Sequence, residues 1–178
     1  MNGYTHKIGG TCAGITAVAL ALQEPISTEK LIVSGLIIAG ATIGSLIPDI
    51  DHKNSTISKK HRVTSWIVTH LFEHRGFTHS PLVQLLLCFF LFHMFKDLSG
   101  VIGFSILGLI IGLAVGMLSH SLLDMMTVGG IPLLYPFTKK KFRIMKLKTA
   151  KHSGLVAVLC IIITIFIVGG KFVFTFLI

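Results

Sequence analysis

Apolar residues gather in five long stretches, at roughly 8–22, 31–48, 81–95, 101–123 and 153–170, with short polar or charged segments between them. Runs of this length can span hydrocarbon, where lipid offers no partner to an unpaired backbone group, so helices are the expected state. The first stretch is short and rich in Gly and Ala, which suits a tilted helix or one seated against its neighbours. The polar positions repeat with the stretches. His6 precedes the first, Asp49-Ile50-Asp51-His52 closes the second, His79 opens the third, and His120 with Asp124 closes the fourth. Stretches that each cross once alternate in direction, which brings all four clusters to one face. The pattern predicts an all-α polytopic membrane protein. It has about five transmembrane helices, one domain over 1–178, and a metal site where the clusters meet.

Composition supports this. Charged residues are 13% of the chain and apolar residues 52%, too few charges to solvate a globular surface. Thirteen of the 16 Lys and Arg lie on the cluster side, leaving Lys30, Lys96 and Lys171 opposite. By the positive-inside rule the cluster face is cytoplasmic, with the N-terminus inside and the C-terminus outside. Lys171 is placed to snorkel to the far interface. Ala19-Leu20-Ala21 resembles a signal-peptidase site, but only Lys7 precedes the apolar run, so the segment is read as retained. The net charge of +9 needs no nucleic acid to explain it. The run Lys139–Lys148 interleaves cations with apolar residues, which suits a topology determinant or a contact with anionic head groups. Cys12, Cys88 and Cys160 sit in three different stretches without a CxxC neighbour and read as packing residues.

The clusters carry the chemistry. His120 and Asp124 are four apart, so on a helix they share a face and suit two ligands of one metal, or a ligand and its orienter. Asp49 and Asp51 would diverge by roughly 200° on a regular helix. Pro48 disfavours one, so a turn can aim both carboxylates at one ion or at two adjacent ions. Ser80-Pro81 reads as an N-cap with proline at the first helical position, which holds His79 beside a helix N-terminus. Arg75 and that N-terminus favour an anion such as phosphate, with Gly76 allowing close approach or making a turn. Thr127 suits either a cap or a ligand-orienting hydroxyl. His70 and His74 lie in an expected interfacial helix with Trp66. His93 reads as a hydrogen-bonded core residue, and His61 and His152 as surface. Three of the seven acidic residues fall in the clusters, which marks those carboxylates as selected for a task.

The ordered set His6, Pro48-Asp49-Ile50-Asp51-His52, Arg75-Gly76-x-Thr78-His79-Ser80 and His120-x-x-x-Asp124-x-x-Thr127 resembles the YdjM-like family. These are LexA-regulated bacterial inner-membrane proteins described as metal-dependent hydrolases. The likeness covers most of the chain. It is more distantly similar to zinc-dependent phospholipase C, where His and Asp side chains hold zinc ions. The resemblance implies that His6, Asp49, Asp51, His79, His120 and Asp124 bind metal, zinc first, with manganese or iron also compatible with mixed N/O donors. The expected activity is hydrolysis of a phosphoester in a lipid or another membrane-associated substrate. Asp49 or Asp51 serves there as base or bridging ligand, while Arg75 and the Thr78–Ser80 helix start stabilise phosphate charge. Two alternatives are a metal or small-anion transporter, disfavoured by clusters on one face only, and a scaffold with a structural metal.

Overall fold

Asn2 starts the first helix. Its side-chain carbonyl accepts from Thr5 N at 2.8 Å and from Thr5 Oγ1 at 2.7 Å, satisfying an otherwise orphaned amide. Helix α1 (Gly3–Ala21) therefore begins ahead of the apolar stretch and takes His6 into its first turn. The computed structural model describes residues 1–22, 25–51, 58 and 76–177. Among them are four further helices: α2 (Thr28–Gly44), α3 (Pro81–Phe95), α4 (Gly100–Met125) and α5 (Thr149–Leu177). A 3-10 turn over Ile47–Asp51 follows α2, and a two-stranded antiparallel ladder, β1 (Ile131–Pro132) with β2 (Lys141–Phe142), lies between α4 and α5. Among the described residues three spans, Thr28–Asp51, Gly100–Met125 and Thr149–Phe174, are long and apolar enough to cross a membrane, and Pro81–Phe95 is a shorter apolar helix. The third stretch matches its helix to the residue. The fifth runs without a break through Gly169-Gly170-Lys171.

Helix α4 is the centre of the bundle, touching α1, α2 and α3. Its contact with α2 is built from small residues at four-residue spacing, Gly108, Gly112 and Gly116 against Gly40 and Gly44. A Cβ on Gly112 would fall on Ile37 O, one on Gly116 on Ala41 O, and one on Gly44 on Leu113 O. Backbones approach this closely because apolar side chains gain nothing by leaving lipid for one another, so close van der Waals contact must hold the pair. Gly10 of α1 meets Ser45 and Ala41 in the same way. The Gly-rich first stretch is thus seated against its neighbour. Helices α1 and α5 run side by side, with Thr5 Oγ1 sharing its proton between Asn2 Oδ1 and, at 3.0 Å, Ser153 O, and Thr16 Oγ1 donating to Thr164 Oγ1 at 3.4 Å. Lys171 Nζ closes the far end of this pair by donating to Ala19 O and, at 2.6 Å, to Leu22 O. It caps the last carbonyls of α1, where the sequence suggested snorkelling.

His93 differs from expectation. It lies on the exposed side of α3, its ring 4.8 Å from that of Phe89, because α3 turns Gln84 and Cys88 inward and the His93 position outward. Cys12, Cys88 and Cys160 are all free thiols.

Candidate metal centre

The packing of α1, α2, α3 and α4 brings His6, Asp49, Asp51, His79, His120 and Asp124 to one end of the bundle. Two imidazoles and two carboxylates alternate around a point. His79 Nε2 is 3.8 Å from Asp49 Oδ1 and 3.7 Å from Asp124 Oδ2, while His120 Nε2 is 3.8 Å and 3.7 Å from the same two atoms. These four separations are alike and too long for direct hydrogen bonds.

The outer nitrogens of both rings are anchored. His120 Nδ1 lies 2.7 Å from Ser45 O. A carbonyl only accepts, so Nδ1 carries the proton and Nε2 turns a lone pair inward. Thr78 Oγ1 gives its one proton to Asp51 Oδ2 at 2.7 Å, which leaves it to accept from His79 Nδ1 at 3.1 Å. Asp51 Oδ2 also stands 3.4 Å from that nitrogen. The 3-10 turn thus aims both carboxylates at one imidazole, Asp49 at Nε2 and Asp51 at Nδ1, where the sequence suggested one ion or two adjacent ions.

His6 stacks on His120, with ring centroids 3.6 Å apart and planes at 14°. Its Nε2 is 3.2 Å from Asp124 Oδ1, an ion-pair separation, and neither ring nitrogen makes a regular hydrogen bond among the described residues. Asp124 divides its oxygens, Oδ1 towards His6 and the Met1 ammonium, Oδ2 towards His79 and His120. Two overlapping donor sets result, His6/His120/Asp124 and Asp49/His79/His120, each with ligand atoms within 4.8 Å of one another. Asp51 lies outside both.

Lone pairs and carboxylates converging in a buried space repel unless a cation sits among them. The Met1 ammonium meets Asp124 at Oδ1, and a metal ion would meet the Oδ2 side, where Asp49 and the two imidazoles converge. A tetrahedral ion with ligands at about 2.0–2.1 Å has edges of about 3.3–3.4 Å, so the four His–Asp separations exceed those edges by a few tenths of an ångström, and the three donors of each set would draw together around an ion. The donor set fits a divalent metal. The side chains of His6, His79, His120 and Asp51 are fully buried, and Asp49, at 17% exposure, opens the site towards solvent.

Ser80 occupies the N-cap position before Pro81, but its hydroxyl makes no cap. It reaches instead to Leu133 O and Tyr135 O at 3.2 Å each. Thr127 Oγ1 donates to Asp124 O at 2.8 Å, so it closes α4. His52, His61, Trp66, His70, His74 and Arg75 lie outside the described residues.

The family profile described as "YdjM inner membrane protein" matches residues 1–178. The chain belongs to the YdjM family. It is 34% identical over 153 residues to uncharacterized protein YvsG of Bacillus subtilis (strain 168), covering 86% of this chain and 84% of that protein. It is 36% identical over 126 residues to inner membrane protein YdjM of Escherichia coli (strain K12), covering 70% of this chain but 61% of that longer protein. Inner membrane protein YbcI of Escherichia coli (strain K12) is 32% identical over 143 residues, with 78% and 69% covered. No solved structure matches.

Within this YdjM-family chain the sequence reading missed the support behind the donors. Gln84 Nε2 donates to Thr78 O at 2.8 Å, and Ser121 Oγ donates to Gln84 Oε1 at 2.9 Å, tying the His79 loop to α4. A lone amide inside an apolar stretch was the available signal.

Proposed function

We propose that the centre holds a divalent cation, zinc first, with manganese or iron as alternatives. On this reading the protein is a membrane-bound hydrolase that cleaves a phosphoester of a lipid or other membrane-associated molecule at the cytoplasmic surface. The observation that carries the proposal is the alternation of His79 Nε2, Asp49 Oδ1, His120 Nε2 and Asp124 Oδ2 at 3.7–3.8 Å, buried except at Asp49. Asp49, His79 and His120 hold the ion, with Asp124 facing it from the overlapping set, while Ser45 O and the Asp51–Thr78 pair orient the two rings. His6 backs Asp124 and supplies the second donor set. A bound ion would polarise a phosphoryl group and make water a better nucleophile at neutral pH. Substrate approaches on the Asp49 side, where this carboxylate is placed to take up a proton from the attacking water. Arg75, close in sequence to His79, is assigned to negative charge on the phosphate. Placement at the cytoplasmic face rests on the bias of Lys and Arg to the cluster side.

A second reading, a structural metal that locks the bundle end, is favoured by one feature. Four protein donors surround the point, and structural sites are closed in that way. Metal analysis of detergent-purified protein, with a phosphoester and phospholipid screen, separates the two. Hydrolysis that is lost in Asp49→Ala and His120→Ala supports the enzyme. Bound metal without turnover on any substrate supports the structural role. Full metal content in both variants sinks the site.

A further inference from the structure

The segment between α4 and α5 has two faces, and the centre uses only one. On the inner face Ile131 is fully buried, and Ser80 Oγ holds the carbonyls of Leu133 and Tyr135. Ile144 N bonds Met125 O at 2.8 Å and Leu147 N bonds Met126 O at 3.0 Å, which pins the returning strand to the end of α4. The outer face presents large apolar side chains, with Leu134 55%, Phe137 85%, Phe142 48% and Ile144 57% exposed. Among them stand Lys139, Lys140, Lys141, Arg143, Lys146 and Lys148, all exposed. Residues 125–178 contain no Asp or Glu, so the segment brings no carboxylate of its own to offset these cations.

Where this surface lies follows from its connections. It joins two helices long and apolar enough to cross a membrane, so its ends are held at the bilayer boundary. Phenylalanine and isoleucine held open to water are unfavourable, and the same side chains seated at the acyl boundary are stabilised. Cations beside them then fall at the depth of lipid phosphates. A protein partner would require an acidic surface brought to the bilayer, whereas anionic lipid is already there.

We propose that residues 131–148 form a docking surface for anionic phospholipid in the adjoining leaflet. Phe137 and Phe142 seat at the acyl boundary, and the Lys and Arg side chains hold head-group phosphates. This surface is independent of turnover at the metal centre; a chain with an inert centre would keep it.

The test uses the full chain in vesicles, with Trp66→Phe removing the native indole and Phe137→Trp placing one on the segment. Acyl-brominated phosphatidylglycerol and acyl-brominated phosphatidylcholine are compared as quenchers at equal mole fraction. One cation near the surface enriches anionic lipid by a factor of about five, so quenching by phosphatidylglycerol should exceed that by phosphatidylcholine to at least this degree. High salt should erase most of the difference. Combined replacement of Lys139, Lys140, Lys141 and Arg143 by Gln should remove it, with a thermal melt of the same sample to show that the bundle is intact. If that variant does not fold, the salt series decides alone. Equal quenching by the two lipids at low salt overturns the proposal. So does an indole that neither lipid quenches, which would put the segment in water.

Discussion

At the scale of single residues, the two carboxylates of the Asp49-Ile50-Asp51 turn are chemically alike but differently placed. Asp49 faces the inner nitrogens of His79 and His120, whereas Asp51 faces the outer nitrogen of His79 through Thr78. Removing an orienting carboxylate typically lowers metal affinity about 10–100-fold, while removing a ligand loses the ion. Asp51→Asn should therefore retain full stoichiometry at saturating metal with affinity weakened by about that factor. Asp49→Ala should fail to fill at any practical concentration. Equal affinities in the two variants, measured by competition with a chelating dye, would refute the division of labour. Gln84→Leu leaves Thr78 O and Ser121 Oγ without their partner, at a cost of about 1–3 kcal/mol. That variant should melt earlier and bind metal more weakly, while Ser121→Ala, which removes one bond, should do so to a lesser extent. The sequence could place the ligand-type residues because buried carboxylates and histidines are scarce in an apolar chain. It could not rank them, since the rank depends on which nitrogen of His79 each oxygen meets across a tertiary contact.

At the scale of elements, the helices were legible because hydrocarbon leaves the backbone one economical solution, and apolar length alone marks where it applies. The third stretch was read to the residue because Pro81 and the Lys96-Asp97 pair punctuate it on both sides. Helix α1 starts several residues ahead of its apolar stretch because Asn2, a single capping side chain, outweighs the polar character of residues 3–7. How the helices pair was also written in the chain, in the four-residue spacing of Gly40 and Gly44 and of Gly108, Gly112 and Gly116, but hydropathy does not report it. The stripe makes a sharp prediction. Gly116→Val pushes a branched side chain into the α2 backbone at Ala41 O, and overpacking of this kind costs about 1–3 kcal/mol or more. Since Gly116 lies one turn before His120, the same change should also displace Nε2 and lower metal occupancy. Gly35→Ala, on α2 with nothing within 4 Å of the new methyl, is the control and should change stability by no more than about 1 kcal/mol. A thermal melt of each variant in detergent, followed by metal content, checks both halves. Equal melting of the two would show that the α2–α4 contact does not hold the centre in place.

At the scale of the whole molecule, the convergence of four clusters depends on every helix reversing direction, and α3 is the weakest step. Its 15 residues rise about 22 Å, short of the roughly 30 Å of hydrocarbon. Two features still favour a crossing. His79 at its start and His120 at the end of α4 meet at one site, so Asp97, in the turn between the two helices, lies at the opposite end of the bundle. Leu86, Phe89 and Phe90 on α3 are 57%, 61% and 61% exposed, as a lipid-facing side requires. The flanking turns or a locally thinned bilayer then make up the missing length. With Cys12, Cys88 and Cys160 replaced by Ala, a thiol introduced by Asp97→Cys should react with a membrane-impermeant maleimide in intact cells. One introduced by Lys140→Cys should react only after the cells are opened. The reverse pattern would overturn the inside placement of the centre but keep the bundle. Labelling of both from the same side would show that α3 and α4 do not cross as a pair. A site drawn from four helices would then have to assemble with α3 lying at the membrane surface, which its exposed phenylalanines and buried Gln84 make costly.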